Sequence, residues 1–158
     1  MATPMLNTRL TETQAASWAS YQRMRARLSG RLSRELARET GVSEADFEVL
    51  QALLDSPEET VRALALRCGL EWEKSRLSHQ LRRMEERGLV ARHDCSEDNR
   101  GSDVSITDAG RRLALEARDR HDQAVRRYVI EALTAHQLDQ LGTISEAILV
   151  GLEEAHQP

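Results

Sequence analysis

Between Glu73 and Gly110 the spacing of apolar residues changes twice. Leu77, Leu81 and Met84 recur three or four positions apart, the period of a helix, and Gly88 follows where a helix stop belongs. "LVARHD" and "DVSIT" then read as two short strands. In the second, Val104 and Ile106 alternate with Asp103, Ser105 and Thr107, so the two sets face opposite ways. Thr107 is a good N-cap, with Asp108 in the first turn of the next helix. A hairpin framed by helices is the simplest fold for this order.

The flanking segments are helical throughout. Thr11 to about Arg38 reads as one long helix with a stripe of Trp18, Tyr21, Met24, Leu28, Leu32 and Leu36, closed by Gly41. Ser43 opens a second helix with Asp46 in a loose capping box, and its face is Phe47, Leu50, Leu53 and Leu54. A third, short helix is expected from about Val61 to Cys68, broken by Gly69. Ala65 and Gly69 are four apart, so a small residue lets the next helix pack close while glycine supplies the positive φ of the turn. Cys68 is expected in the core, and Trp72 reads as a packed turn residue before a fourth helix from about Glu73 to Arg87. A fifth helix is expected from about Asp108 to Ala132 along Leu113, Ala117, Ala124, Val125 and Tyr128. Thr134 and Gln137 cap a sixth, lined by Leu138, Leu141, Ile144, Ile148 and Leu152.

Composition excludes several classes. Hydrophobic residues make up 40% but aromatics only 3%, so the core must be mostly Leu, Ala, Val and Ile. No apolar run approaches the roughly 18 residues of a membrane span, and "MATPMLNTRL" lacks a secretory apolar region, so a cytoplasmic location is expected. Cys68 and Cys95 are lone thiols, and His79, His93, His121, His136 and His156 lack metal-ligand spacing. With no nucleophile triad or phosphate-cradling glycine loop, neither catalysis nor a cofactor is expected. The net charge of −4 is unevenly spread. Residues 1–59 carry 7 Arg against 9 acids, residues 60–101 carry 9 Lys and Arg against 7, and residues 102–158 carry 6 Arg against 10. Only the middle is net basic.

Helix, short helix, turn, helix and hairpin is the order of a winged helix-turn-helix. On the fourth helix Lys74, Ser75, Ser78, His79, Arg82 and Arg83 lie off the apolar stripe. Arg and Lys grip phosphates or guanine edges, and Ser and His read bases or phosphates at short range. The bland alternative is a solvated charged face. Between the strands, Arg100 on a polar tip suits a narrow minor groove of enhanced negative potential, with Asp98 holding its guanidinium and Asn99 and Gly101 permitting a tight turn. The alternative is a loop-stabilising ion pair, which contributes only about 0–1 kcal/mol at a surface.

With "LALRCG", "KSRLSHQLRRMEERGLV" and "DNRGSDVSITDAG" in view, the sequence resembles the MarR family of bacterial transcription regulators over the whole chain. The Asp-x-Arg tip, alternating strand and Thr-x-x-Gly helix start are its most specific part, while Gly69 to Leu77 is longer than the common family pattern. The resemblance implies a mainly α fold with a small β-hairpin: a winged helix-turn-helix domain over residues 43–107, framed by dimerisation helices over 1–42 and 108–158. It implies a homodimer on double-stranded DNA at a pseudo-palindromic operator, most simply a repressor, released by a small aromatic or phenolic effector. Trp18, Tyr21 and Arg25 are candidates for the effector cleft, with dimer core an equal reading for the two aromatics. Two rival functions are a winged helix that holds a protein partner and a thiol redox sensor acting through Cys95, which has only His93 and Arg92 nearby to lower its pKa.

Overall fold

The structure, a computed structural model, describes residues 9–94 and 101–154. In order, these form α1 (Glu12–Thr40), α2 (Glu44–Leu54), β1 (Thr60–Arg62), α3 (Ala63–Leu70), α4 (Lys74–Glu86), β2 (Val90–Asp94), β3 (Ser102–Ile106), α5 (Asp108–Val125), a π-helical turn (Arg126–Ile130) and α6 (Ala135–Glu154). The helix ends follow local chemistry. Thr11 and Ser43 each form a full capping box, with Gln14 and Asp46 respectively, and Gly41 closes α1 in the left-handed conformation at φ 72°. Thr134 and Gln137 exchange the same pair of bonds ahead of α6.

The strands form an antiparallel sheet in the order β1-β3-β2, with Val61 opposite Val104 and Val90 opposite Ile106. The third strand was not expected. Val61 belongs to it, not to α3, because a β-branched residue beside the buried Val104 packs better extended than in a helix. The rest of α3 is displaced accordingly. It runs through Gly69 to Leu70, and the residue with positive φ in the turn is Glu71, at 53°. Gly69 is an exposed helix residue that breaks nothing, and Ala65 is exposed as well. The close packing assigned to that pair is made by Leu66, which is buried. Cys68 likewise lies on the exposed side of α3, not in the core. On α2, Val49 joins Leu50 and Leu53 as fully buried, whereas Phe47 is half-buried and stacks on His121 of α5. The fifth helix leaves α geometry after Val125 instead of continuing regularly to Ala132.

One core joins α2, α4, the sheet and the first half of α5, with Leu36 from the end of α1. The buried residues of α5 are Gly110, Ala114, Ala117 and Ala124, all small, which lets that helix approach α1 and α2 closely. Gly110 has the strictest requirement. A Cβ there would collide with the Leu89 carbonyl oxygen. The same turn is fastened by Thr107, whose hydroxyl donates to the Gly88 carbonyl at 2.6 Å and accepts from the Gly110 N–H at 3.0 Å. The Thr-x-x-Gly pattern is therefore the joint between the end of α4, the sheet and α5.

A buried carboxylate fixes α4 against α2. Asp46 is 2% exposed. It accepts from Gln80 Nε2 at 2.6 Å, from Arg87 Nη1 at 2.8 Å and from the Ser43 N–H at 3.0 Å. Burial pushes its carboxyl up, but the Arg87 bond, the backbone and side chain of Ser43 and the Arg87 charge outweigh burial and hold it below the usual carboxylate value.

Two stability measurements check this account. Gly69→Ala is expected to stabilise the protein in urea denaturation by up to about 0.5–1 kcal/mol, the value for a helix interior, since Gly69 lies exposed in the last turn of α3. A loss of stability would put Gly69 back in a left-handed turn. Asp46→Asn keeps the shape but removes the charge, and at neutral pH it is expected to cost about 1–3 kcal/mol. Because folding lowers the Asp46 pKa, its contribution is complete above the unfolded value of about 3.9 and is lost as pH falls through the folded value. The gap between wild type and Asp46→Asn should thus be full at pH 6–7 and shrink below pH 4. A gap independent of pH would mean that the carboxylate charge does not hold α4.

Candidate nucleic-acid interface

Helix α4 has two chemically distinct faces. Leu77, Gln80, Leu81 and Met84 are buried, and Gln80 is the residue that reaches Asp46. Lys74, Ser75, Arg76, Ser78, His79, Arg82 and Arg83 are all exposed. The six α4 residues expected from the sequence thus share the solvent side of a helix whose other side is fixed in the core. Arg76 and the positioning residues Gln80 and Arg87 were missed. Gln80 sits within the apolar stripe, three residues after Leu77, and that position was the signal available for it.

The cations of this region divide into two groups. Arg87, just past the end of α4, is bound to Asp46. Arg92 of β2 donates to Glu85 through Nη2 at 2.7 Å and Nε at 3.0 Å, fastening the sheet to the last turn of α4. These bonds, against the cost of partial burial and with help from the Arg92 charge, keep the Glu85 carboxyl below its usual value. Among the described residues, no carboxylate pairs with Lys74, Arg76, Arg82 or Arg83. Their charge faces solvent while the neighbouring arginines are used internally.

The turn before α4 is built around Trp72. Its backbone N–H donates to the Arg67 carbonyl at 3.1 Å, and the residue is 7% exposed, as expected for a packed turn residue. The Arg76 guanidinium lies over that ring, 3.9 Å from its centroid.

On the outer face of the sheet His93 Nε2 is 3.1 Å from Ser105 Oγ, and Arg62 Nε is 3.9 Å from Asp103 Oδ1. The tip residues Asp98 and Arg100, and Cys95 beside them, lie outside the described residues.

A second region lies between α1, α2, α5, the π turn and α6. It is a groove of about 1500 Å³, lined in part by Tyr21, Arg25, Leu28, His121, Tyr128 and Ile144. Two of the three effector candidates, Tyr21 and Arg25, are on its wall. Trp18 is not among the lining residues, and its ring lies against Tyr21 at 5.2 Å between centroids. Below the groove, Tyr128 donates its hydroxyl to Glu35, which also accepts from Arg31 Nε at 3.0 Å, with Arg127 at 3.8 Å. The Tyr128 bond, opposed by burial and joined by Arg31 and Arg127, keeps the Glu35 carboxyl low. Leu138, Leu141, Ile144, Ile148 and Leu152 of α6 remain 38–58% exposed, and α6 has no buried residue.

Comparison with known proteins agrees with this architecture. A family model described as the MarR family matches residues 40–101. AbsC, a MarR family transcriptional regulator from Streptomyces coelicolor, superposes with a TM-score of 0.86 at 29% identity, over 94% of this chain and 99% of its own. Sco3205, a regulator of the same family and organism solved in complex with DNA, gives a TM-score of 0.86 at 33% identity, over 95% of this chain and 92% of its own. A MarR family regulator from Rhodococcus sp. RHA1 shares the fold, with a TM-score of 0.73 at 22% identity over 89% and 96% of the two chains. No curated protein sequence matches the chain. With 33% identity over nearly the full length of both chains, and with the same winged-helix architecture, the chain belongs to the MarR family of transcriptional regulators.

Proposed function

We propose that the chain is a homodimeric regulator that binds a pseudo-palindromic operator in double-stranded DNA, acting as a repressor that a small effector releases. The observation that carries the reading is the division of α4. Its inner side is fixed to the core and to Asp46, while Lys74, Ser75, Ser78, His79, Arg82 and Arg83 present cations and short polar groups outward. A helix held on one side and polar on the other suits insertion into a major groove, about 12 Å wide. The structure of Sco3205 with DNA supports the same use of the fold. On this reading Arg100 is assigned to the adjacent minor groove, with Asp98 as its partner, and Arg100→Ala would then cost about 1–3 kcal/mol of affinity.

The dimer is supported by apolar surface. Leu141 and Ile144 of the exposed row on α6 line the same groove as the exposed Tyr21 and Met24 of α1, and a monomer does not ordinarily leave such rows in water. The groove exceeds the roughly 300–1,000 Å³ of a small-molecule pocket. A partner helix therefore accounts for part of it, and the effector for the part bounded by Tyr21, Arg25 and Tyr128. For Trp18, dimer core is the better reading, since it lies off the groove wall.

The test is fluorescence anisotropy on duplex fragments enriched from genomic DNA, at several salt concentrations. Wild type is expected to bind a subset of fragments with a steep salt dependence. Arg82→Ala and Arg83→Ala should each weaken binding, with the log–log salt slope falling by about 1 for each phosphate that the variant no longer neutralises. Ser78→Ala or His79→Ala should instead change which fragment is preferred. If all four variants bind as wild type does, another surface meets the DNA.

A further inference from the structure

The pairing of Arg76 with Trp72 has no role in the core. Arg76 is exposed, it is the third residue of α4, and its guanidinium lies 3.9 Å from the centroid of a ring that is itself buried. Among the described residues no carboxylate pairs with it, unlike Arg87 and Arg92 close by. An exposed arginine without a partner normally samples many rotamers, and ordering it on binding costs side-chain entropy. Here the ordering is already done. The guanidinium carbon sits over the ring, and a guanidinium stacked in this way keeps its in-plane N–H donors at its edge.

We propose that Arg76 reads a guanine in the major groove, and that Trp72 is the positioning residue that aims it. This rests on the DNA-binding reading of α4 given above. Three features carry the assignment. The N-terminal residues of a recognition helix are the ones that meet base edges, and Arg76 lies in the first turn of α4. A planar fork with two parallel donors matches the O6 and N7 acceptors of guanine, a geometry that lysine cannot reproduce. The mount is built into the fold: the Trp72 side chain belongs to the core cluster and its backbone N–H is bonded to the Arg67 carbonyl, in a turn where Glu71 adopts a left-handed conformation. A merely solvated arginine requires no such mount. Arg82 and Arg83, further along the exposed side, have no aromatic support among the described residues and suit phosphates, where a mobile cation suffices.

The experiment selects binding sites from a randomised double-stranded DNA library. Wild type, Arg76→Ala, Arg76→Lys, Trp72→Phe and Trp72→Leu are run in parallel, with thermal melts as the folding control. Wild type should enrich a symmetric motif with one guanine per half-site that Arg76→Ala and Arg76→Lys no longer prefer. Discrimination at that position should fall by roughly five- to a hundred-fold, with the rest of the motif unchanged. Trp72→Phe, which keeps an aromatic face, should retain the guanine, and Trp72→Leu, which keeps apolar bulk alone, should lose it. Motifs identical for wild type and Arg76→Ala would overturn the assignment. So would a uniform drop in affinity with a smaller salt slope and no change of motif, which marks a phosphate contact. Loss of the guanine in both Trp72 variants would overturn the stacking role of the ring, with Arg76→Ala still testing the base contact. A wild type that enriches no sequence contradicts the DNA-binding reading itself, whereas a failure confined to Arg76 leaves that reading intact.

Discussion

A carboxylate removed from water is tolerated only where donors surround it, and in this chain the donors around Asp46 come from three separate places. Ser43 precedes α2, Gln80 projects from the middle of α4 and Arg87 follows its last residue. One side chain therefore caps α2 and sets both the rotation and the axial position of α4. An apolar stripe alone could slide or roll, because Leu77, Leu81 and Met84 are held by contacts without direction. The hydrogen bonds to Asp46 have direction, and removing one partner leaves a buried polar group unsatisfied, at about 1–3 kcal/mol. The outward aim of the six polar residues on α4 follows from that constraint.

The sheet and α5 depend on the same arrangement at the far end of α4. Gly88, at φ 70°, turns the chain into β2, and Thr107 bonds back to the Gly88 carbonyl. Gly110 admits the Leu89 carbonyl where any other residue would collide with it. Arg92 then ties β2 to Glu85. The sheet is thus referenced to the end of α4 and to the start of α5. The long helices meet this unit through small residues of α5 and through the Glu35–Tyr128 bond at the π turn, a local change of helical pitch that turns Tyr128 toward α1.

Much of this was legible in the sequence because it rests on local rules. The capping boxes at Ser43 and Thr134, the stop at Gly41, the hairpin alternation and the two faces of α4 are set by residues within one or two turns of each other. What was missed depends on distant partners. Val61 is a strand residue because Val104 lies beside it, a contact between positions far apart in the chain. Gly69 suggested a turn by its identity, yet α3 continues past it because Leu66 and Leu70 still face the core, and Glu71 takes the left-handed position instead. Cys68 falls on the outer side for the same reason. The clamp on Asp46 and the stacking of Arg76 were hidden because Gln80, Arg87 and Arg76 resemble ordinary surface residues until their partners are known. Ala65 suggested close packing, but on α3 Leu66 is the buried residue, with Ala63 and Leu70 packed beside the core.

The central claim is that the outer side of α4, aimed by Asp46, lies against DNA while α1 and α6 lie against a second copy of the chain. Zero-length photocross-linking tests it most directly. A duplex that the protein binds is made with a photoreactive thymine analogue at successive positions, irradiated in the complex and digested, and the adducts are mapped by mass spectrometry. The account predicts adducts on peptides spanning residues 74–83, at symmetrically related positions of the two half-sites, and none on the peptide carrying Ile144 and Ile148. Adducts confined to α1 or α6, with α4 free of them in a complex that forms normally, would contradict it.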